Sequence, residues 1–252
     1  MSDLNFSLTL PGEKDPLPQT IAARTRRVYD ALATVYPVAT YFFHTKAHSY
    51  VLKHSGIQNG DRVLEIASGS GEMLRHLANI NPDGVTIGLD LSPKMAAGAQ
   101  KRVREEHPGT SAHCGAVDVR SLPFADASFD AVVCCYLIEL LGREDIYRTL
   151  QEVRRVLRPG GRFSLVVIGQ NRTLFRHAYR VGASIVRAYW GRLVESETPE
   201  MLQDCGLTVV GDQYLLQGFY PSRVLISQPT AEAGLAQAKA QSSGDSSYFH
   251  AT

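Results

Sequence analysis

The amino-acid sequence predicts an α/β fold with a doubly wound, mostly parallel sheet of seven strands and an antiparallel edge strand. Between residues 61 and 168, short apolar segments alternate with amphipathic segments of about 10–15 residues, a spacing that is typical of βαβ units. After residue 206, two apolar segments follow each other with no helical segment between them, so we expect them to pair antiparallel at the sheet edge. Parallel strands joined by helices are covered on both faces, and this arrangement is called Rossmann-like.

The predicted elements follow one another in the order that a doubly wound sheet requires. The strands are predicted at residues 62–67, 84–91, 111–118, 129–140 (with the exit of that strand), 161–168, 207–218 and 222–228. The helices between and after them are predicted at residues 71–80, 93–108, 143–158, 172–190 and 198–206. An unusually aromatic helical segment, from about Thr20 to Ser55, precedes the first strand and is expected to break near Pro37.

A single domain is predicted, flanked by polar segments that have too little apolar content to form a core. The predicted boundaries are 1–18 for a flexible arm, 19–228 for the domain, with a helical cap at 19–56 and a lid or substrate helix at 171–198, and 229–252 for a disordered tail. The N-terminal residues show no basic segment followed by an apolar one, and no apolar run approaches roughly 18 residues. We therefore expect a cytoplasmic protein without a signal peptide or a membrane span.

The charge balance disfavours nucleic acid as a partner. The chain has 26 Lys and Arg against 25 Asp and Glu, a net charge of +1, so no global field attracts a polyanion. Its 44% hydrophobic and 20% charged residues are ordinary for a globular protein. The cysteines show no CxxC spacing, so we expect buried, reduced thiols and neither disulfides nor a zinc site; they are Cys114, Cys134, Cys135 and Cys205.

A glycine-spaced turn, "VLEIASGSGEM" at residues 63–73, follows the first predicted strand. Gly69 and Gly71 lack Cβ atoms, so the chain can turn tightly and let a ligand approach its backbone. A dinucleotide-binding motif needs a third glycine where this chain has Leu74, and a Walker motif needs Gly-Lys-Ser/Thr, which is absent. Neither phosphate-binding motif is complete, although an oxidoreductase that uses NAD(P) remains an alternative at this point.

Three acids are predicted at the ends of three consecutive strands: Glu65, Asp90 and Asp118. Asp90 lies 19 residues after Gly71, where a carboxylate accepts hydrogen bonds from ribose hydroxyls. A glycine turn, a ribose acid and a further acid near an exocyclic amine suit a nucleoside that has no pyrophosphate. For Glu65 alone, a capping or solvated acid is the alternative interpretation.

Four blocks of the sequence resemble the class I S-adenosylmethionine-dependent methyltransferases, in particular the branch with the ubiquinone/menaquinone C-methyltransferases. These blocks cover about residues 61–168 in the family's order and spacing; they are "VLEIASGSGEM", "GLDLSPKM", "GAVDVRSLPFADASFDAVVCCYLIELL" and "LQEVRRVLRPGGRFSLVV". The turn departs from the family pattern, because Ala67 and Ser68 replace the more usual Gly and Cys/Ala. We expect a weaker backbone approach at this turn but no loss of binding.

The resemblance implies S-adenosyl-L-methionine as the cofactor and assigns residues to its parts. Glu65, Ala67 and the two glycines would flank the methionine, Asp90 the ribose, Leu91 and Met95 the adenine face, and Asp118 with Val119 the adenine edge. An N-terminal helix of this branch often places an aromatic hydroxyl over the cofactor. The full assigned set is Tyr29, Glu65, Ala67, Gly69, Gly71, Asp90, Leu91, Met95, Asp118, Val119 and Cys135.

Methyl transfer needs an aligned nucleophile and excluded water, and a general base only when the acceptor keeps its proton near neutral pH. The candidate catalytic residues are Tyr36 and His44 of the N-terminal helix and Tyr136 and Glu139 at the exit of the fourth strand. Tyr29 and Tyr36 are seven residues apart on one helical face, and packing against the sheet is the alternative for both. His44 and His48 are four apart, but no carboxylate partner follows, so no metal is expected.

The predicted helix 172–190 has a basic face. At 100° per residue its arginines fall within an arc of about 80°; they are Arg172, Arg176, Arg180 and Arg187. Such a face can rest on an anionic membrane surface or guide an acidic substrate, and a solvated face of an ordinary lid helix is the alternative.

Taken together, the sequence predicts a methyltransferase that acts on a small-molecule or lipid-like acceptor, with the acceptor atom open among C, N, O and S. A protein of the same fold that binds the cofactor without transferring methyl is the second hypothesis. An NAD(P)-dependent oxidoreductase is the third, disfavoured by Leu74 and by the acids at three strand ends.

Overall fold

The computed structural model describes residues 36–169, 194–217 and 220–230 of the chain, with the backbone alone for residues 36–44 and 220. Several predictions from the sequence therefore lie outside the described residues. These are the arm 1–18, Tyr29, most of the lid segment with the helix 172–190 and its Arg172, Arg176, Arg180 and Arg187, and the tail from 231 to 252.

The described chain alternates strands and helices from residue 62 to residue 168, as predicted. The strands are β1 (Arg62–Ile66), β2 (Val85–Asp90), β3 (Ser111–Ala116), β4 (Phe129–Cys135), β5 (Leu157–Ile168), β6 (Leu207–Gln217) and β7 (Tyr220–Pro229). The helices are α1 (Tyr36–His54), α2 (Glu72–Ile80), α3 (Pro93–Glu106), α4 (Arg143–Val156) and α5 (Thr198–Asp204), with a 3₁₀ turn at Ile138–Leu140. None of these helices is long and apolar enough to cross a bilayer.

The seven strands form one sheet in the order β3-β2-β1-β4-β5-β7-β6. The pairs from β3 to β5 are parallel, whereas β7 is antiparallel to both β5 and β6. This confirms the Rossmann-like, mostly parallel sheet with antiparallel pairing at its edge, and it places the antiparallel strand second from the edge. The chain winds outward from β1 in one direction and from β4 in the other. The carboxyl ends of β1 and β4 therefore form the switch point, where sheets of this kind bind ligands.

The two boundaries at the junction of α4 and β5 differ from the prediction in an informative way. Strand β5 begins at Leu157 and not at residue 161, because Leu157 pairs with Phe129 before the β4–β5 register shifts between Phe129 and Ala131. Helix α4 accordingly ends at Val156 and not at residue 158. In α1, Pro37 is the second residue of the helix and causes no break within the described part, because a first-turn proline removes no helical hydrogen bond.

Helices cover both faces of the sheet, and the alternation of β1 shows which face its side chains take. Leu64 and Ile66 pack in the cluster that contains the α4 residues Ile146 and Leu150. Val63 packs on the other face, in the cluster with residues of α1 and α2. Successive side chains of a strand point to opposite faces, so Glu65 lies on the Val63 face, under α1 and α2.

Candidate functional site

The turn after β1 reverses the chain by means of left-handed backbone conformations. Ala67, Gly69 and Gly71 have φ angles of 57°, 53° and 79°. A Cβ at Gly71 would lie 2.8 Å from Cβ of Ala99 and 2.9 Å from its Cα, so α3 also requires glycine at this position. At position 67, by contrast, an alanine takes the conformation that glycine favours, at a cost of about 1–2 kcal/mol.

The missing third glycine has a structural counterpart on the neighbouring strand. A Cβ added at Gly88 of β2 would lie 2.7 Å from Cδ2 of Leu74. The close approach of helix and strand, for which dinucleotide-binding proteins use the third glycine, is therefore retained here with the glycine on the strand. Leu74 is fully buried at this contact.

Asp90 ends β2 and is oriented by two backbone amides. Its Oδ2 accepts a hydrogen bond from the Gly69 amide and its Oδ1 one from the Ser92 amide, both at 2.9 Å. The Ser92 hydroxyl in turn accepts from the Met95 amide and caps α3. A carboxylate oxygen can accept more than one hydrogen bond, so the group that orients the turn is also of the kind that binds ribose hydroxyls.

An open cleft lies at the carboxyl ends of β1 and β4, the switch point of the sheet. Five predicted site residues line it: Glu65, Ala67, Gly69, Cys135 and Tyr136. Five further residues that the prediction omitted from the site also line it: His48, Ser68, Ser70, Glu72 and Met73. Most of them lie within "ASGSGEM" itself, so the same turn pointed to them, and His48 was paired with His44 in sequence.

The cleft wall carries acids and no Lys or Arg among the described residues. Glu65 is 2% exposed, and its Oε2 has no hydrogen-bond partner. Burial, followed by the charges of Asp90 and Glu72, raises the pKa of Glu65 well above its ordinary value. Glu72 behaves oppositely, because hydrogen bonds from His76 and Arg75 lower its pKa and keep it ionised.

His48 and Tyr136 are the two lining residues with neutral polar rings. Burial lowers the pKa of His48 to about 4, so its imidazole is neutral at pH 7. Burial also raises the pKa of Tyr136, so its phenol stays protonated. Tyr136 has a left-handed φ of 56°, and its hydroxyl contacts Oγ of Ser222 at 2.8 Å and Nε2 of Gln217 at 3.3 Å.

Glu139 lies behind the cleft and is not among its lining residues. It is 2% exposed, and its Oε1 accepts a hydrogen bond from the Ile168 amide at 2.6 Å, at the end of β5. Its Oε2 has no partner, and burial raises its pKa to about 7.

The four residues predicted for adenine also lie outside this cleft, although the ends of β2 and β3 adjoin. The Val117 amide donates to the Asp90 carbonyl at 2.9 Å. Met95 and Val119 are buried and Leu91 is partly exposed. Asp118 forms an ion pair with Arg120 at 2.6 Å, which outweighs the effect of partial burial and lowers the pKa of Asp118.

Two candidate residues of α1, Tyr36 and His44, have only their backbone described, so their roles stay predictions. All four cysteines are free thiols. The expectation of burial holds for Cys134 and Cys205 and is wrong for the other two. Cys135 is partly exposed because it borders the cleft, and Cys114 is partly exposed at the end of β3, 3.3 Å from the Ser68 hydroxyl. No group of three or more metal-ligating side chains occurs among the described residues.

A family model described as "Methyltransferase domain" matches residues 63–161. The chain is 30% identical to the demethylmenaquinone methyltransferase of Symbiobacterium thermophilum over 158 residues, 61% of this chain and 62% of the relative. It is 26% identical to the ubiquinone/menaquinone biosynthesis C-methyltransferase of Pseudomonas savastanoi pv. phaseolicola over 184 residues, 70% of this chain and 71% of the relative. The chain therefore spans less than two thirds of the length of the first of these relatives.

Solved structures share the fold at low sequence identity. Magnesium protoporphyrin IX methyltransferase from Synechocystis, solved with bound S-adenosylmethionine, superposes with a TM-score of 0.65 at 17% identity, over 86% of this chain and 100% of that one. The (4+2)-cyclase SpnF superposes with a TM-score of 0.66 at 15% identity, over 82% of this chain and 97% of that one. The matched family model and the relatives make residues 63–161 similar to the methyltransferase domains of the ubiquinone/menaquinone C-methyltransferases, and the solved structures share the fold.

Proposed function

We propose that this protein is an S-adenosylmethionine-dependent methyltransferase that methylates a small-molecule or lipid-like acceptor. The observation that carries the proposal is the acidic cleft at the switch point, into which the buried Glu65 brings a carboxylate oxygen without a partner. A ligand with an ammonium and a sulfonium group would supply the positive charge that this wall lacks. Asp90, held beside the turn by Gly69, suits the ribose of the same ligand.

The fit to a nucleotide with a pyrophosphate is poor. In a dinucleotide-binding fold the pyrophosphate lies at the N-terminus of the helix after the glycine turn. Here Glu72 is the first residue of that helix, and its carboxylate stays ionised. An ionised carboxylate at this position repels a phosphate, which disfavours the NAD(P)-dependent alternative.

The bound cofactor would supply an electrophilic methyl group, and the chain would bind it, orient the acceptor and exclude water. Glu65, the turn 67–71 and Asp90 are the proposed binding groups, with Leu91, Met95, Asp118 and Val119 proposed for the adenine. Tyr136 is protonated, so it would act as a hydrogen-bond donor toward an acceptor oxygen and not as a base. His48 would be a neutral hydrogen-bonding group in the same cleft.

We propose a quinol-type ring as the acceptor, since the similar proteins are named for demethylmenaquinone and for ubiquinone/menaquinone C-methylation. In that reaction a ring carbon would attack the methyl carbon, a carbon–carbon bond would form as the carbon–sulfur bond breaks to leave a neutral thioether, and the ring carbon would then lose its proton to solvent. An acceptor with a long apolar chain would reside in a membrane. Peripheral membrane contact through Arg172, Arg176, Arg180 and Arg187 is thus part of this proposal.

A second candidate function is non-methylating catalysis on the same scaffold, because the cyclase SpnF has a similar fold. Calorimetric titration with S-adenosylmethionine and with NADH is the first test, and tight NADH binding without an S-adenosylmethionine signal would overturn the proposal. Transfer of a tritiated methyl group to a prenylated, reduced naphthoquinone is the second test, with a phenol, a thiol and a phospholipid as comparison acceptors. Binding without transfer to any of the four would favour the non-methylating candidate.

A further inference from the structure

Gln217, the last residue of β6, uses every hydrogen-bonding position of its side-chain amide. It is 5% exposed. Its Oε1 accepts from the backbone amides of Lys46 and Ala47 in α1, at 2.7 and 3.2 Å. Its Nε2 donates to Oγ of Ser222 at 3.0 Å and to the hydroxyl of Tyr136 at 3.3 Å. An amide side chain has two acceptor and two donor positions, so none is left over.

The partners fix the orientation of this amide. Backbone N–H groups can only donate, so the oxygen of Gln217 must face α1 and its nitrogen must face the two hydroxyls. The Ser222 side chain is fully buried, and its oxygen receives a hydrogen from Gln217. The Ser222 hydroxyl also shares a hydrogen bond of 2.8 Å with the Tyr136 hydroxyl, in which either oxygen can be the donor.

The Tyr136 oxygen therefore accepts a hydrogen bond from Gln217 and shares a second one with Ser222. These two bonds hold the hydroxyl of Tyr136, a lining residue of the cleft, against the end of β6 and against β7. The ring of Tyr136 is thereby held in one position at the cleft.

The same amide also determines where α1 sits. Lys46 and Ala47 directly precede His48, which lines the cleft from α1. Lys46 adds a contact of its own, since its Nζ donates to the Leu216 carbonyl at 3.2 Å. One buried side chain therefore bonds to the two elements that bring His48 and Tyr136 to the cleft.

We propose that Gln217 is a positioning residue that couples the position of α1 to the position of the Tyr136 ring, so that His48 and Tyr136 reach the acceptor together. The expected effect on turnover rests on the proposed methyltransferase function. The effect on the positions of α1 and Tyr136 rests on the geometry alone. Gln217 itself touches neither ligand. Its role is to hold His48 and Tyr136 at one spacing.

Three variants of the full chain test this proposal. Gln217→Leu removes all four bonds at similar size, and Ser222→Ala removes only the bonds at the hydroxyl. Gln213→Leu changes an exposed glutamine of the same strand and is the matched control. For each variant, hydrogen exchange at the Lys46 and Ala47 amides is measured together with S-adenosylmethionine affinity and with kcat and KM on reduced prenylated naphthoquinone.

We expect Gln217→Leu to speed exchange at both amides at least tenfold and to lower kcat at least tenfold, with cofactor affinity changed less than threefold. Ser222→Ala should lower kcat by a smaller factor and leave the exchange as in the wild type, and Gln213→Leu should change neither. Unchanged exchange in Gln217→Leu would overturn the coupling, as would an unchanged kcat. If the wild type transfers no methyl to any acceptor, the proposed function fails. The hydrogen-exchange measurement still decides whether Gln217 holds α1 in position.

Discussion

Glu65 and Gln217 are both almost completely buried near the same cleft, yet they differ in how far their polar side-chain atoms are hydrogen-bonded. Oε2 of Glu65 has no partner, whereas all four positions of the Gln217 amide are bonded within the protein. Glu65 belongs to the β1–β2 side of the cleft, with the turn 67–71 and Asp90. Gln217 belongs to the β4–β7 side, with Tyr136 and Ser222.

This difference indicates that the two sides of the cleft have different roles in binding and in turnover. A buried polar group without a partner costs about 1–3 kcal/mol, which a ligand that bonds to it can recover. The β1–β2 side, with the unpartnered Oε2 of Glu65 and the left-handed Ala67, would therefore have its buried acid satisfied only by a bound ligand. On the β4–β7 side the side-chain amide of Gln217 is satisfied within the protein, so this side is a preformed support. Changes on the first side should alter cofactor affinity, and changes on the second should alter turnover.

The largest effect is expected at Gly71 on the β1–β2 side. Gly71→Ala places a Cβ in a left-handed residue and 2.8 Å from Ala99, so we expect the free energy of unfolding to fall by about 2–4 kcal/mol. Gly98→Ala is the control, because Gly98 is exposed in α3 with no atom within 4 Å of an added Cβ. Gly98→Ala should raise the free energy of unfolding by about 0.5–1 kcal/mol. Urea unfolding measures both, and a Gly71→Ala protein as stable as the wild type would refute this account of the turn.

The next effect separates an acid that lines the cleft, Glu65, from one that does not, Glu139. Burial raises the pKa of Glu139 from 4.5 to about 7, and that of Glu65 also rises. The folded protein then binds more protons than the unfolded chain, so the free energy of unfolding should fall as pH rises from 4.5 to 7. Glu139 accounts for at most about 3 kcal/mol of this fall.

Glutamine at either position stays neutral, so Glu65→Gln and Glu139→Gln should each flatten the dependence of stability on pH. Only Glu65→Gln should also weaken S-adenosylmethionine binding, because Glu139 does not line the cleft. Urea unfolding at several pH values and calorimetric titration measure the two quantities. A loss of turnover in Glu139→Gln with unchanged cofactor affinity would return Glu139 to the active site, as the sequence predicted.

A smaller effect is expected at Asp90. Asp90→Asn keeps one acceptor oxygen, but its NH₂ group must face the amide of Gly69 or of Ser92, both of which are donors. We expect S-adenosylmethionine affinity to fall by about 1–2 kcal/mol, roughly a factor of 5–30. Asp83→Asn, an exposed acid before β2, is the control for the loss of one charge. Equal affinity in the two variants would mean that Asp90 does not contact the ribose.

The sequence predicted the fold well because strands and helices leave local signals. The alternation of "RVLEI", "EMLRHLANI" and "VTIGLD" needs no knowledge of distant residues. The β1–β2 side of the cleft was predictable for the same reason, since Glu65, Gly69 and Gly71 stand within one short motif.

The β4–β7 side could not be predicted in this way. Gln217 and Lys46 are 171 positions apart, and nothing in "YLLQGFYPS" distinguishes Gln217 or Ser222 from other polar residues of the last two strands. The catalytic role of Glu139 stays a prediction. Glu139 follows β4 as expected, but from its 3₁₀ turn its carboxylate accepts from the Ile168 amide at the end of β5, which the sequence does not indicate. The left-handed conformation of Ala67 was indicated only by its replacement of the more usual Gly at this position of the turn.

Ala67 therefore provides the finest test of the difference between ligand-directed and purely structural features. Ala67 and Ala127 have left-handed φ angles of 57° and 52°, but only Ala67 lines the cleft. Glycine relieves the strain at either position and makes the unfolded chain more flexible, so each substitution should stabilise by a net of about 0.5–1 kcal/mol. Thermal unfolding should show similar gains for both variants. Calorimetric titration should show a changed S-adenosylmethionine affinity for Ala67→Gly alone, because of the two alanines only Ala67 lines the cleft. A changed affinity in Ala127→Gly would mean that the effect of such strain on binding is not confined to the β1–β2 side.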